Sequence, residues 1–301
     1  MTFKYRILKW LVRMIGMKKQ SEKDVSEILA MKKKANAKCH VPDIREKDIR
    51  GEKLEVLGFP VLKLSPKEAK GAVLFIIGGG MVSPPRPDSI KKAVRVARES
   101  GMDLYVPYYP LCTDYPVSKA YEMVYATYER MLEDYPAEKI TVLGTSSGGN
   151  LALGLIPYMN EAKSALSRPG HILAISPGTC PASEEERRRM EELDKLDVAI
   201  AAKYMFSAEE IMRHGQEVPD YMLHLQRADF TGCPRTTFIY GSDEVLYAVA
   251  PSFEEAMQRY GVSYRMIVGE GMFHCYPVFP LCKEAKEGWK MMIRLLQNPM
   301  A

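Results

Sequence analysis

The chain has 301 residues, of which 47% are hydrophobic and 27% are charged, a balance typical of a folded globular protein rather than a disordered one. Its formal net charge of +4 is too small to indicate nucleic-acid binding, and we predict no nucleic-acid partner. The six cysteines are scattered without the spacing of a disulfide framework or a zinc site, so we expect free thiols, no bound metal and a cytoplasmic location.

The N-terminal residues 1–50 are predicted to be helical and to form an arm that belongs to a cap. Within residues 1–20, apolar side chains recur at helical spacing, with lysines and arginines between them. Arg13 interrupts the apolar positions and the stretch is too short to cross a bilayer, so it is predicted to be neither a signal peptide nor a transmembrane helix. Two interpretations stay open: a helix that packs over the protein's own pocket, and a peripheral contact with an anionic membrane surface.

Residues 51–301 are predicted to form one catalytic domain. After a strand pair at 54–57 and 60–64, short apolar strands alternate with helical stretches, which is typical of a mainly parallel sheet covered by helices on both faces. The later strands are predicted at 72–77, 104–108, 140–143, 172–175, 237–240 and 264–268. The helices that accompany them are predicted at 90–99, 118–133, 251–260 and 284–297.

The alternation of strands and helices is interrupted at about residues 177–228, where no strand is predicted. Ser183 begins a run of acidic residues that is typical of a helix start. Because this long insertion falls between two strands of the sheet, we expect it to lie over the strand ends. It is predicted to form a helical cap together with the N-terminal arm.

The segment 144–150 reads Gly-Thr-Ser-Ser-Gly-Gly-Asn and lies between a predicted strand and a predicted helix. In Gly-x-Ser-x-Gly, a sharp strand-to-helix turn raises the serine hydroxyl above the sheet, and side chains at the two glycine positions would collide with the neighbouring strand and helix. Ser146 is therefore the predicted nucleophile. A phosphate-binding loop is the alternative, but the segment lacks the lysine of a Walker motif.

Three glycines, Gly78, Gly79 and Gly80, follow the strand predicted at 72–77. Such a loop lets backbone N–H groups approach a ligand closely. Ester cleavage passes through a tetrahedral oxyanion, and one fixed donor to it is worth ~3 kcal/mol. A further donor is expected from the N–H of Ser147, the residue after the nucleophile. A flexible glycine turn is the alternative interpretation of this loop.

A serine nucleophile needs a general base and a carboxylate that orients the base. In folds with this nucleophile turn the acid precedes the histidine along the chain, and both follow strands that end at the same edge of the sheet. Asp243 and His274 satisfy both conditions. The other four histidines are placed at the opposite edge, in the cap or in the arm. Glu244 and Glu270 are the reserve acids.

With these residues assigned, the chain resembles the hormone-sensitive-lipase-like family of α/β-hydrolase esterases, which includes bacterial acetyl esterases. The resemblance covers about residues 70–285 and rests on motifs at 77–80, 106–111, 144–150, 228–234 and 241–246. It implies an α/β-hydrolase fold with a helical cap, no metal and no organic cofactor. It also implies that Ser146 is the nucleophile, Asp243 the acid and His274 the base. The implied oxyanion hole consists of the backbone of Gly79, Gly80 and Ser147, with Gly78 supporting the turn.

The chain departs from the family's motifs at three places. The family has a histidine before the three glycines, which holds the oxyanion loop by hydrogen bonds, and Ile77 takes its position. Thr145 replaces an acidic residue beside the nucleophile. Cys275 and Tyr276 follow His274 where the family usually has Gly-Phe. None of these changes removes a predicted catalytic residue.

The resemblance implies a serine carboxylesterase that acts on a small-molecule ester through an acyl-enzyme intermediate. A pocket formed by large apolar side chains near the motifs would suit short-to-medium acyl chains. Two alternatives stay open: a non-catalytic small-molecule-binding protein on the same fold, and a hydrolase of another acyl class, such as a thioesterase or an amidase. A homodimer is also left open. The predicted pocket residues are Met81, Tyr109, Met272 and Phe273.

Overall fold

The computed structural model of the protein describes residue 9 and residues 16–300. Most of the predicted N-terminal amphipathic segment, residues 1–8 and 10–15, lies outside the described residues. Whether this segment covers a pocket or contacts a membrane therefore stays a prediction. Among the helices of residues 16–300, none combines the length and the hydropathy needed to cross a membrane.

A single eight-stranded sheet forms the centre of the fold, with strand order β1-β2-β4-β3-β5-β6-β7-β8. The first two strands form an antiparallel hairpin, and β2 is antiparallel to β4. All the other strand pairs are parallel. The strands are β1 (Ile49–Val56), β2 (Phe59–Pro66), β3 (Ala72–Ile76), β4 (Asp103–Pro107), β5 (Ile140–Thr145), β6 (His171–Ile175), β7 (Thr236–Gly241) and β8 (Tyr264–Gly269).

The hairpin corrects one boundary of the predicted helical arm. The predicted arm extends to residue 50, but β1 begins at Ile49, which is buried and paired with Pro66. The turn of the hairpin is formed by Leu57 and Gly58, which both have positive φ angles, 51° and 79°. A turn of two residues with positive φ has a backbone twist that matches the right-handed twist of the flanking strands. The two strands therefore stay paired up to the turn and are longer than the apolar pattern predicts.

Helices cover both faces of the sheet, as the alternating pattern predicts. Along β3 the side chains alternate: Leu74 packs in one core cluster and Val73 in the other. A buried parallel strand needs apolar residues on both faces, which explains its continuous apolar sequence. The helices are α1 (Met17–Ser21), α2 (Val25–Asn36), α3 (Pro87–Ser100), α4 (Val117–Leu132), α5 (Ser147–Glu161), α6 (Glu184–Asp194), α7 (Ala202–Arg213), α8 (Asp220–Leu223), α9 (Ala250–Arg259) and α10 (Lys283–Gln297).

The segment between β6 and β7 contains three helices, α6, α7 and α8, and we call residues 177–228 the insertion. The predicted helix start is confirmed, because the Ser183 hydroxyl accepts the N–H of Glu186 at 3.2 Å. The N-terminal helices contact the insertion: Ser21 Oγ accepts the N–H of Ala201 at 2.9 Å. The division into a cap and a catalytic domain stays a prediction.

Candidate active site

Ser146 occupies the single residue between β5 and α5. Its backbone angles are φ 54° and ψ −128°, a region that residues with a side chain rarely adopt. Such a conformation costs ~1–3 kcal/mol and persists only where the surrounding structure enforces it. The N–H of Ser146 donates to the carbonyl of Ile175 on the neighbouring strand at 2.9 Å. The strained turn therefore holds Ser146 at the carboxyl end of the parallel strands, partly accessible to solvent.

The glycines of this turn are required by packing. A Cβ atom on Gly144 would lie 2.2 Å from the carbonyl oxygen of Gly148, and one on Gly148 would lie 2.0 Å from the carbonyl oxygen of Ile76. Both distances are far inside van der Waals contact with rigid backbone. The steric reason predicted for the two glycines is therefore confirmed.

The glycine loop after β3 is attached to the nucleophile turn by two hydrogen bonds. The N–H of Gly78 donates to Thr145 Oγ1 at 3.1 Å, and the N–H of Gly79 donates to Ser147 Oγ at 3.0 Å. The N–H groups of Gly80 and Ser147 have no acceptor within the described part of the chain. Ser147 is also the first residue of α5, where helix geometry leaves N–H groups free and favours negative charge. Gly80 and Ser147 therefore each offer a free N–H donor, one from the glycine loop and one from the nucleophile turn.

Two tyrosine hydroxyls hold the same loop from other elements. Tyr109 donates to the carbonyl of Ile77 at 3.1 Å, and Tyr204, on α7 of the insertion, donates to the carbonyl of Gly80 at 2.5 Å. A Cβ atom on Gly80 would lie 2.4 Å from the Tyr204 hydroxyl oxygen, so only glycine fits beneath it. These contacts fix the loop although Ile77 replaces the family's histidine. The sequence alone offers no signal for Tyr204, since nothing in it shows which cap residue reaches the loop.

His274 lies after β8 and is oriented by Glu244, the residue that follows Asp243. The His274 Nδ1 atom and Glu244 Oε2 are 2.5 Å apart, and the Glu244 side chain is fully buried. Glu244 Oε1 accepts the Ser176 hydroxyl and the N–H of Gly241, both at 2.8 Å. Every oxygen of this carboxylate therefore has a partner, as a buried charge requires. A glutamate that binds Nδ1 leaves Nε2 as the nitrogen available for proton transfer.

Comparison with known proteins shows the family to which the chain belongs. A family with the α/β-hydrolase fold matches residues 73–278, which is more than half of the chain. The chain belongs to this α/β-hydrolase family. The fold class and the family predicted from the motifs are therefore confirmed.

Individual relatives agree with this assignment. An acetyl-hydrolase of Streptomyces hygroscopicus is 26% identical to this α/β hydrolase over 234 residues, covering 74% of this chain and 75% of the relative. Among solved structures, an esterase from the bacterial hormone-sensitive lipase family is 18% identical with a TM-score of 0.79, and the match covers 100% of this chain and 99% of the other. An esterase/lipase from an uncultured bacterium is 20% identical with a TM-score of 0.78, covering 99% and 98%. At these identities the two structures show a shared fold.

The structure corrects the predicted acid of this α/β hydrolase. Asp243 Oδ2 accepts Lys9 Nζ at 2.6 Å and its Oδ1 accepts the Ser242 hydroxyl at 3.1 Å, so its carboxylate is directed away from His274. Glu244 is in extended conformation, and successive side chains of an extended chain point to opposite sides, so only one of the two adjacent acids can face the histidine. The other reserve acid, Glu270, is exposed.

The four predicted pocket residues do not form one group. Met81 and Tyr109 belong to the core cluster that contains α4 and α5, whereas Met272 and Phe273 belong to the cluster that contains α3 and α10. The two clusters lie on opposite faces of the sheet, because alternate residues of β3 point into each of them. A pocket role for these side chains stays a prediction, and it would have to bring together residues from both faces at the carboxyl ends of the strands. Among the described residues, no group of three or more His, Cys, Asp or Glu is placed to hold a metal ion.

The second ring nitrogen of His274 contacts a thiol. Nε2 lies 3.4 Å from Cys275 Sγ, and Cys275 is buried with a positive φ of 55°. Burial opposes protonation of His274, but the adjoining side chains of Cys275 and Glu244 outweigh it and raise the pKa of the imidazole above its ordinary value. His274 is therefore a stronger base than a solvent-exposed histidine.

Proposed function

We propose that this α/β hydrolase is a serine carboxylesterase whose catalytic triad is Ser146, His274 and Glu244. The observation that carries the proposal is the contact at 2.5 Å between His274 and the fully buried carboxylate of Glu244, on the same sheet edge as the strained Ser146 turn. Nucleophile, acid and base, in this order along the chain, are the parts that acyl transfer needs. The name of the Streptomyces hygroscopicus relative, an acetyl-hydrolase, supports an ester with a short acyl chain.

The reaction proceeds in two halves. Ser146 Oγ attacks the ester carbonyl and gives its proton to His274 Nε2, while Glu244 stabilises the imidazolium. The oxyanion of the tetrahedral intermediate accepts the N–H groups of Gly80 and Ser147. His274 then protonates the alcohol, which leaves as the C–O bond breaks, and Ser146 keeps the acyl group. Water, deprotonated by His274, attacks the acyl-enzyme and releases the carboxylic acid and free Ser146.

A fluorophosphonate probe tests this proposal directly, because it phosphonylates only an activated serine. We expect wild-type protein to be labelled at Ser146, as identified by peptide mass spectrometry, and to hydrolyse p-nitrophenyl acetate faster than p-nitrophenyl decanoate. Absence of both labelling and turnover would support a non-catalytic binding protein instead. Labelling with faster turnover of an acetyl thioester or an anilide than of the ester would assign another acyl class.

The base strength of His274 predicts an alkaline pH profile. Hydrolysis needs neutral His274, and the pKa of this residue is raised above 6.5, so kcat/KM should fall as the pH decreases through a value higher than 6.5. The measurement is kcat/KM for p-nitrophenyl acetate from about pH 5 to 10, with the spontaneous rate subtracted. An acidic limb centred at or below the ordinary histidine pKa would contradict this expectation.

Removal of the Tyr204 hydroxyl should loosen the oxyanion loop. We expect Tyr204→Phe to lower kcat by about fivefold with little change in KM, because one lost hydrogen bond costs about 1 kcal/mol. The matched control is Tyr221→Phe, from α8 of the same insertion, whose ring packs edge-to-face on Tyr121 and should keep wild-type kcat. Equal kcat values for the two variants would show that the contact with Gly80 has no effect on catalysis.

A further inference from the structure

Asp197 is a buried acid in the insertion that the proposed triad does not use. It lies between α6 and α7 and is 3% exposed. Its Oδ1 atom accepts the N–H groups of Ala199 and Ile200 at 2.7 and 3.1 Å. Its Oδ2 atom leaves the insertion and accepts the N–H of Val245 at 2.8 Å. The carboxylate thus joins the insertion to the residue directly after Glu244.

This link fixes the backbone that carries the acid. Glu244 precedes a 3₁₀ turn, Val245–Val249, whose first N–H groups have no partner within the turn. Asp197 supplies the acceptor for the first of them, as a capping residue does. The direction of the Glu244 side chain is therefore set from one side by its own contacts with Ser176 and Gly241, and from the other by Asp197.

A neutral side chain could also accept the N–H of Val245, without the free-energy cost of burying a charge. Burying a charge costs several kcal/mol unless positive groups compensate for it. Burial accordingly raises the pKa of Asp197, whereas a protonated His274 and the three N–H donors oppose that rise. Asp197 binds the residue that follows Glu244, and Glu244 contacts His274, so the Asp197 carboxylate lies beside the Glu244–His274 pair. The negative charge of Asp197 favours the protonated form of His274, the imidazolium.

The charged and titratable groups around His274 and Asp197 come from four elements of the fold. Next to His274 they are Glu244 and Cys275, and Asp243 directly precedes Glu244 in the chain. Near Asp197 the N-terminal helix contributes Lys18, whose Nζ is 3.5 Å from the Asp197 carbonyl oxygen. Lys18 also pairs with Asp194 at 3.0 Å, and Asp243 pairs with Lys9, so both of these acids are compensated.

We propose that Asp197 is a positioning residue, which holds the Glu244 loop in place and adds a second negative charge that stabilises the imidazolium of His274 during acyl transfer. The inference rests on the proposed triad of Ser146, His274 and Glu244. It assigns to the insertion a part in the base chemistry besides covering the strand ends.

Asp197→Asn keeps the size of the side chain but replaces one carboxylate oxygen by an N–H donor. It therefore removes the charge together with the acceptor of either Val245 or the pair Ala199 and Ile200. We expect kcat/KM for p-nitrophenyl acetate to fall by roughly 10- to 100-fold, as misplaced catalytic groups cause. The acidic limb of the pH profile should move down by about one pH unit, because His274 loses a charge that favours its protonated form. The matched control is Asp194→Asn, which removes a carboxylate of the same insertion that accepts the N–H of Ala202. That variant should keep the wild-type profile.

A fall in kcat/KM with an unshifted acidic limb would overturn the charge role, and unchanged kinetics would overturn the whole inference. If Asp197→Asn does not fold, Val245→Pro tests the link from the other side. Proline is tolerated at the first position of a helical turn and has no N–H, so the charge stays while the contact is lost. We expect lower kcat with an unshifted limb, and wild-type kcat would refute the positioning role. Failure of the proposed esterase function would appear differently, as wild-type protein inert to fluorophosphonate.

Discussion

Replacing Ser146 by alanine is expected to lower kcat for p-nitrophenyl acetate by roughly 10⁴- to 10⁶-fold, since removal of the nucleophile leaves only the oxyanion donors and substrate binding. The fold should be retained, because alanine experiences the same backbone strain at φ 54° as serine does. The measurements are steady-state kinetics and thermal unfolding of the purified variant beside wild type.

The adjacent serine provides the matched control. Ser147 Oγ accepts the N–H of Gly79, so Ser147→Ala removes a support of the oxyanion loop but not the nucleophile. We expect a loss of about tenfold or less, corresponding to about 1 kcal/mol for one hydrogen bond. An active Ser146→Ala variant would refute this assignment, and so would fluorophosphonate labelling that persists in Ser146→Ala but is lost in Ser147→Ala.

Two neighbouring acids should behave in opposite ways. Glu244→Gln is expected to lower kcat by roughly 10³- to 10⁴-fold, because an amide leaves His274 without a charge that favours its imidazolium and without a fixed tautomer. Asp243→Asn should change kcat by less than about threefold, since the lost partner is Lys9 rather than the base. The two variants are compared at one pH and then across the pH profile.

The pH profile of Glu244→Gln adds a second criterion. Because the carboxylate raises the pKa of His274, its removal should move the acidic limb of any residual activity to lower pH. Asp243→Asn should leave the limb in place. If Asp243→Asn were the inactive variant, Asp243 and not Glu244 would be the acid of the triad.

The sequence predicts those parts of the site that depend on local backbone geometry. A buried strand, a glycine-flanked serine and a helix follow one another directly, so the position of Ser146 needs no information from distant residues. The three glycines before Met81 and the position of His274 after β8 follow from strand order in the same way. The short, continuously apolar strands that alternate with helices likewise predict a sheet buried on both faces.

What the sequence does not predict depends on side-chain direction over long separations. Asp243 and Glu244 are adjacent in an extended segment, so their side chains point to opposite sides and only one of them can face His274. The donors that hold Glu244 are the Ser176 hydroxyl and the N–H of Gly241. Asp197 and Tyr204 lie in an insertion whose helices have no fixed register with the sheet until the chain is folded. The apolar residues Met272 and Phe273 show that proximity to a motif does not determine the face on which a side chain packs.

The two contacts from the insertion limit how substrate can enter. Asp197 is bound to Val245 on the acid side of the site, and Tyr204 is bound to Gly80 on the oxyanion side. A rigid-body movement that lifted the insertion away would break both at once and disable base and oxyanion loop together. Acyl transfer is therefore expected only while the insertion is seated, and any opening that admits substrate has to close again before the chemistry begins.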